Sequence, residues 1–302
     1  MEEQQNQEIN KKNWHDKHYK TLLLIPIALL LFSFVYMGIF YSQHHDFFLK
    51  DISLKGGTSV TINGNLDTPS LKNALIDKFG EVNIRKISNF VTGEQIATVV
   101  ETTANAEDVK AFLEDYLGYE LIEGENSSFE STNASLGKSF YNQLLIAILV
   151  AFVFMAIVVF ILFRTFIPSC AVVLSAFADI LMTLVTVNLL GIKMSSAGII
   201  ALLMLIGYSV DTDILLTNRV LRRHDETTLN QKLLSSFKTG VTMSLVSLIA
   251  VFVALLFVKS FSSILDQIFT ILIIGLVFDI FNTWVTNVSI IKWYVISKEK
   301  SG

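Results

Sequence analysis

The sequence predicts an α-helical polytopic membrane protein: six transmembrane helices, with an external α+β ferredoxin-like domain between the first and the second. Three observations lead there. The chain of 302 residues is 52% apolar, and its apolar residues gather into six long runs, about 21–42, 140–163, 167–190, 195–217, 239–258 and 264–293. A single long polar stretch, 44–138, separates the first run from the rest. Four aspartates, Asp179, Asp211, Asp213 and Asp279, lie inside runs that are otherwise apolar.

A helix needs about 20 residues to cross a hydrocarbon core of about 30 Å. Each run meets that length, and the last can tilt or extend past the bilayer. The first run is too long for a signal-peptide core and lacks a small-residue cleavage site after it, so it reads as a retained span. The divisions are a cytoplasmic tail (1–20), a first span (21–43), an external domain with its tether (44–138), spans two to six (139–296) and a short cytoplasmic tail (297–302). One cysteine, Cys170, excludes an internal disulfide and reads as packing.

Basic residues set the orientation. Lys11, Lys12, Lys17 and Lys20 precede the first span; Arg164 and the group Arg219, Arg222, Arg223, Lys232 and Lys238 follow on the same side; Lys292, Lys298 and Lys300 close the chain. The positive-inside rule places both termini in the cytoplasm of a cell-membrane protein. The loop RVLRRHDETTLNQKLLSSFK reads as solvated positive charge or as a surface helix touching anionic lipid. Region 44–138 then lies outside, and it is acidic, with 15 Asp and Glu against 8 Lys and Arg.

That region has a readable order. A strand near Thr58–Asn63 leads to a helix that opens at Thr68–Pro69 and ends at Gly80. Strands at about Val82–Phe90 and Gln95–Glu101 flank Thr92–Gly93. A helix from Ala106 to Leu117 ends at Gly118, and a strand near Tyr119–Glu123 follows. Pro at the first helical position and Gly after each helix are the expected punctuation. The order βαββαβ is the split-βαβ arrangement. Two amphipathic helices cover one face of such a sheet and leave the other free for contact. Residues 124–138 are small and polar and read as a flexible tether.

The chemistry sits in the spans. A carboxylate at membrane depth costs roughly 2.5–3.5 kcal/mol on insertion scales. A chain that keeps four is predicted to move a proton or an ion. Span four contains GYSVDTDILLTNRV. Asp211 and Asp213 are two residues apart, about 200° around a helix at 3.6 residues per turn, so they cannot face the same interface. Asp211 shares a face with Gly207 and Leu215, and Asp213 with Ser209 and Thr217. Asp179 and Asp279 lie near the middle of spans three and six. Lys238 and Thr239 open span five. Gly207 and Ser209 allow close helix approach. No cofactor motif is present: Gly56–Gly57 lacks the Lys-Ser/Thr and helix of a phosphate loop, and His44–His45 lacks further metal ligands. No nucleophile-base constellation of an enzyme is recognisable, and nothing points to nucleic acid.

Two motifs carry a family resemblance. DISLKGGTSV, with Gly56, Gly57 and Thr58 in the first strand, and GYSVDTDILLTNRV, with Gly207, Tyr208 and Ser209, together with order and length, resemble the SecF family of protein-export membrane proteins in the resistance-nodulation-division superfamily, in an archaeal-like form. The resemblance implies an auxiliary subunit of the Sec translocase. It would act with SecD, assist the SecY translocon, touch the translocating preprotein and membrane lipid, and use proton or sodium motive force. It assigns Asp211 the key fourth-span acid position, Asp179 the third-span aspartate, and Lys238–Thr239 a basic-polar pair. Bacterial members usually have Asn-Asp-Thr where this chain has Asp211-Thr212-Asp213, so its acids flank the usual position; Ala178 stands for a common His, and Lys238 for a common Arg. The expected ion relay is Asp211 first, with Asp179, Asp213, Asp279 and Lys238. Two other readings compete: half of a small-molecule exporter of the same superfamily, and a non-transporting translocon scaffold.

Overall fold

The computed structural model describes residues 23–89, 92–221, 229–259 and 262–301. Lys11, Lys12, Lys17 and Lys20 of the basic tail, Phe90 at the end of the expected second strand, and Arg222 and Arg223 lie outside the described residues.

Six helices are long and apolar enough to cross a membrane: Leu24–His44, Ser135–Phe163, Phe166–Leu189, Ser196–Leu221, Leu229–Val258 and Ile264–Lys298. Span four packs against spans two, three, five and six. Its glycines explain part of that closeness. A Cβ at Gly198 would meet Ile271 Cδ1 at 3.0 Å, and one at Gly275 would meet Leu205 Cδ2 at 2.4 Å, so spans four and six approach closely at these glycines and a larger residue would displace the facing side chain. Span six is not a regular helix throughout. A π-helical stretch, Asn282–Asn287, divides it into Ser263–Phe281 and Val288–Ser301. The span-five helix starts at Leu229, ten residues before the apolar run, so much of the expected basic loop is a helical extension.

Between spans one and two lies a four-stranded antiparallel sheet, β1 (Gly57–Asn63), β2 (Val82–Ser88), β3 (Gln95–Thr102) and β4 (Ser127–Thr132), in the order β2-β3-β1-β4. Helices Thr68–Phe79 and Ala106–Leu117 cover one face. Val60, Ile62 and Val100 from the sheet meet Leu71, Leu75, Val109 and Leu113 from the helices in one core. The second helix is capped by the Asn105 side chain, which accepts from the Asp108 N–H.

Three expectations need correction. The last strand is Ser127–Thr132, whereas Tyr119–Glu123 is irregular apart from an isolated bridge of Glu123 to Ser127, and the turn follows at 124–126. The Asn126 side chain holds that turn by accepting from the Ile122 N–H (2.8 Å) and donating to the Glu120 carbonyl (2.9 Å). The flexible tether does not exist: β4 pairs with β1 from Gly57↔Thr132 to Ile62↔Ser127, and helix Ala134–Phe163 begins two residues after the strand and continues into span two. Small polar residues in a strand look like a linker because strand preference reflects sheet context more than composition. The second sheet face is not simply free, because Asn83, Arg85 and Glu101 line a cavity of about 280 Å³ with Lys193, Asp266 and Gln267 of the membrane bundle.

The domain is mounted on the bundle by backbone as well as side chains. Segment 49–51 pairs with Met194: Met194 N–H donates to Leu49 O (2.6 Å), and Asp51 N–H donates to Met194 O (2.8 Å). Asn188 Nδ2 donates to Phe47 O (2.9 Å). A short helix, Ile52–Lys55, which the sequence pattern does not announce, lies against the start of span two; a Cβ at Gly137 would meet Leu54 O at 2.9 Å. Lys55 and Lys193 both donate to Glu81, at 3.0 and 3.2 Å, joining the domain to the loop between spans three and four.

Gly57 is the tightest point. Its φ is +141°, and a Cβ there would lie 2.3 Å from Thr102 O and 2.8 Å from Thr103 Cα, both backbone atoms. Gly57→Ala is expected to cost about 1–3 kcal/mol. Thermal melting in detergent checks this, with Gly64→Ala as control: its φ is also positive, but nothing lies within 4 Å.

Glu81 gives a pH test. The hydrogen bond from Lys55 holds its carboxyl below the usual carboxylate range, with Lys193 adding to the effect. A depressed carboxylate contributes stability above its ordinary pKa and loses it as pH falls through the folded-state value. Protection against hydrogen exchange in 188–196, taken relative to the intrinsic rate at each pH, is therefore expected to fall at acidic pH, and Glu81→Gln is expected to lower it already at neutral pH.

Candidate functional site: buried carboxylates of spans three, four and six

Three of the four intramembrane aspartates converge. Asp179, Asp213 and Asp279 are 0%, 0% and 1% exposed, although they come from three different spans. Uncharged donors hold them. Asp179 accepts from Ser209 Oγ on Oδ2 (2.6 Å) and from Asn282 Nδ2 on Oδ1 (2.7 Å). Asp213 Oδ1 accepts from Thr283 Oγ1 (2.9 Å) and Asn287 Nδ2 (2.6 Å). Thr283 Oγ1 also lies 3.4 Å from Asp279 Oδ1. One hydroxyl carries one proton, so Thr283 can donate to Asp213 while accepting from a protonated Asp279. Thr283 thus links the acids of spans six and four.

The local sequence explains the convergence. Ser209, Asp213 and Thr217 recur every four residues and turn inward together. In span six, Asp279, Asn282, Thr283, Thr286 and Asn287 line one face, and the last four lie in the π-helical stretch. A π-turn widens the helix and marks functional positions more often than chance. Further buried polar atoms lie in the same core: Ser175 Oγ, Asp213 Oδ2, Thr217 Oγ1, Asn287 Oδ1 and Ser289 Oγ. They extend the polar track toward the basic end of the bundle.

The other expected site residues lie elsewhere. Asp211 is exposed on the outer surface of span four, on the side of Gly207 and Tyr208, and Gly207 has no neighbour within 4 Å. The two-residue spacing thus separates the acids as the helical geometry requires. Lys238 is exposed on span five, outside the buried cluster. The basic group that does engage span five is Arg219, whose Nη1 donates to Ser235 O (3.1 Å), Ser235 Oγ (3.0 Å) and Thr239 Oγ1 (3.1 Å). Gly56 and Gly57 carry the turn into β1 with positive φ, and Thr58 Oγ1 donates to Ala104 O (2.8 Å), which fits a structural motif. Among the described residues no group of three His, Cys, Asp or Glu could hold a metal ion.

Sequence reasoning missed the ligating roles of Thr283 and Asn287. The signal was present in DIFNTWVTN, where polar residues follow Asp279 at spacings of three, four, seven and eight. It also read Ser209 as a small packing residue, whereas Ser209 donates to Asp179.

Removing a carboxyl strands its donors. Asp179→Ala and Asp213→Ala are expected to lose about 1–3 kcal/mol for each buried donor left unpaired. Asp179→Asn and Asp213→Asn should melt near the wild type, because serine and threonine hydroxyls and asparagine amides can reverse to suit an amide. Thermal melting of the four variants in one detergent compares them.

Comparisons with known proteins agree with this architecture. The family described as protein export membrane protein SecD/SecF, C-terminal, matches residues 117–297. The chain is 39% identical over 284 residues to the protein-export membrane protein SecF of Methanocaldococcus jannaschii, covering 92% of this chain and 96% of that one. It is 37% identical over 284 residues to the SecF of Methanothermobacter thermautotrophicus, covering 92% and 93%. In fold it is similar to SecDF, a translocon-associated membrane protein of Thermus, with a TM-score of 0.71 at 19% identity; 92% of this chain aligns to 38% of that longer one. The chain belongs to the SecD/SecF family of protein-export membrane proteins.

Proposed function

We propose that this chain is an auxiliary subunit of the Sec protein translocase, that it acts beside a SecD-type partner, and that its buried carboxylates couple protein export to an ion gradient. One observation carries the coupling: Asp179, Asp213 and Asp279 meet in a buried polar core, with Thr283 in reach of two of them. Structural glue between helices needs one polar contact. Three acids from three spans, sharing neutral donors, offer a site that gains and loses a proton. In this reading the buried three carry the ion, and Asp211 has a different task.

Asp211 marks the partner face. A carboxylate facing lipid would be costly, so the surface with Gly207, Tyr208 and Asp211 is one for another protein to cover. A second six-span unit fits, because the chain aligns to only 38% of the SecDF chain. A basic group on that partner would pair with Asp211 and place it at the seam of the relay. Both termini then lie in the cytoplasm and the sheet domain outside, where it meets the preprotein emerging from SecY.

Gradient-dependent secretion in membrane vesicles tests the coupling. Asp179→Asn, Asp213→Asn and Asp279→Asn are each expected to assemble and to lose most of the stimulation by the gradient, and a protonophore should abolish it in the wild type. Wild-type stimulation in all three would reject the relay and favour the scaffold. Asp211→Asn should instead reduce recovery of the SecD-type partner from native membranes in mild detergent.

A further inference from the structure

The pattern Asn-X-Ser/Thr, with X other than Pro, occurs three times in the chain: Asn126-Ser127-Ser128, Asn133-Ala134-Ser135 and Asn287-Val288-Ser289. It is the acceptor pattern for an N-linked glycan, and so short a pattern also arises by chance. The structure separates the three. Asn287 and Ser289 are 0% exposed inside the bundle, where Asn287 Nδ2 donates to Asp213. Asn126 is tied into its turn. Its Oδ1 accepts from the Ile122 N–H (2.8 Å), its Nδ2 donates to Glu120 O (2.9 Å), and its carbonyl accepts from the Asn63 N–H (2.9 Å). The next residue, Ser127, is 4% exposed in β4. An amide held at both ends is poorly placed to enter another protein's active site.

Asn133 differs on each count. Asn133 and Ser135 are both exposed. Asn133 is the N-cap of helix Ala134–Phe163, yet its side chain makes no capping bond. Its backbone is extended, with φ −65° and ψ 140°, directly after β4. Ser135 lies in the first helical turn, and helix ends fray. Drawing 133–135 out as an extended acceptor breaks the bond from the Gly137 N–H to Asn133 O (2.9 Å) and leaves the rest of the helix in place. Clearance from the membrane is sufficient too. About 20 residues cross the hydrocarbon. Counted back from Phe163, they leave Asn133 about 16 Å above it, at about 1.5 Å per residue.

We propose that Asn133 carries an N-linked oligosaccharide. This rests on the orientation in the proposed function, which puts the sheet domain outside. The donor is a polyprenyl phosphate-linked oligosaccharide, used by a membrane transferase on that side. The bond from the sugar's anomeric carbon to the phosphate oxygen breaks, and a bond from that carbon to Asn133 Nδ2 forms. The amide nitrogen gives up one proton, and the polyprenyl phosphate leaves. The Ser135 hydroxyl marks the acceptor for the transferase. The position also suits the product. β4 is an edge of the sheet, and Ser128, Glu130 and Ser131 are exposed along it. An exposed edge invites another strand to pair with it. A bulky, hydrated glycan at the end of β4 stands in the way of such a strand.

The test purifies the full chain from the membranes of an archaeal host that N-glycosylates its surface proteins, and reads intact mass and glycopeptides. The peptide containing Asn133 is expected to carry added sugar mass. Asn133→Gln and Ser135→Ala should each remove that mass completely, Ser135→Thr should restore it, and Asn126→Gln should leave it unchanged. The same host without its oligosaccharyltransferase should yield the bare chain. A second measurement separates this proposal from the orientation beneath it. Asn65→Cys, combined with Cys170→Ser, is treated in intact cells with a membrane-impermeant maleimide; Asn65 is exposed on the sheet domain. External labelling with a bare Asn133 overturns the glycan and leaves the orientation standing. A domain that the reagent cannot reach overturns both. Sugar on Asn126 in place of Asn133, or sugar mass that persists in Ser135→Ala, also overturns the proposal.

Discussion

Lipid offers no hydrogen bonds, so every polar group taken into the bilayer must find its partners inside the protein. That constraint organises the bundle around Asp179, Asp213 and Asp279. Each acid needs donors from another helix, and Ser209, Asn282, Thr283 and Asn287 supply them. Spans three, four and six are therefore pinned to one another at one height. Glycines at 198 and 275 let spans four and six come close enough for these short contacts. The donors that hold these acids are all uncharged.

The same constraint, working in reverse, governs the outer surface. Asp211 and Gly207 are turned outward on span four, which packs against spans two, three, five and six. In the proposed function, a buried polar core on one side of this helix and an exposed acid on the other suit a chain that meets a partner at this face.

The sheet domain is held more firmly than a domain on a linker. Met194 pairs with segment 49–51 by backbone hydrogen bonds, and β4 passes directly into the helix of span two. Glu101 is buried beside the bundle; burial pushes its carboxyl up, against the pull of Arg85. Movement of this domain is thus tied to movement of the loop between spans three and four. Span four, with Ser209 and Asp213, begins at the end of that loop. A mechanical connection between the outer domain and the carboxylates runs through three residues, Lys193, Met194 and Ser196, each bonded to the segment 49–55 or to Glu81.

The membrane architecture was legible in the sequence because its determinants are local. Six apolar runs set the spans, and Pro69, Gly80 and Gly118 mark the helix ends of the sheet domain. The opposition of Asp211 and Asp213 follows from helical geometry alone. The strand Ser127–Thr132 was hidden, because it is polar and its identity comes from pairing with β1. The weight given to Asp211 came from a motif, and a motif cannot tell an inward face from an outward one. Which acids meet depended on how spans three, four and six pack, and that is decided by contacts between residues up to 103 positions apart, as Asn282 and Asp179 are. The Thr283 bridge belongs to that packing: it arises only when the helices are assembled, since it requires side chains from two spans to share one small volume.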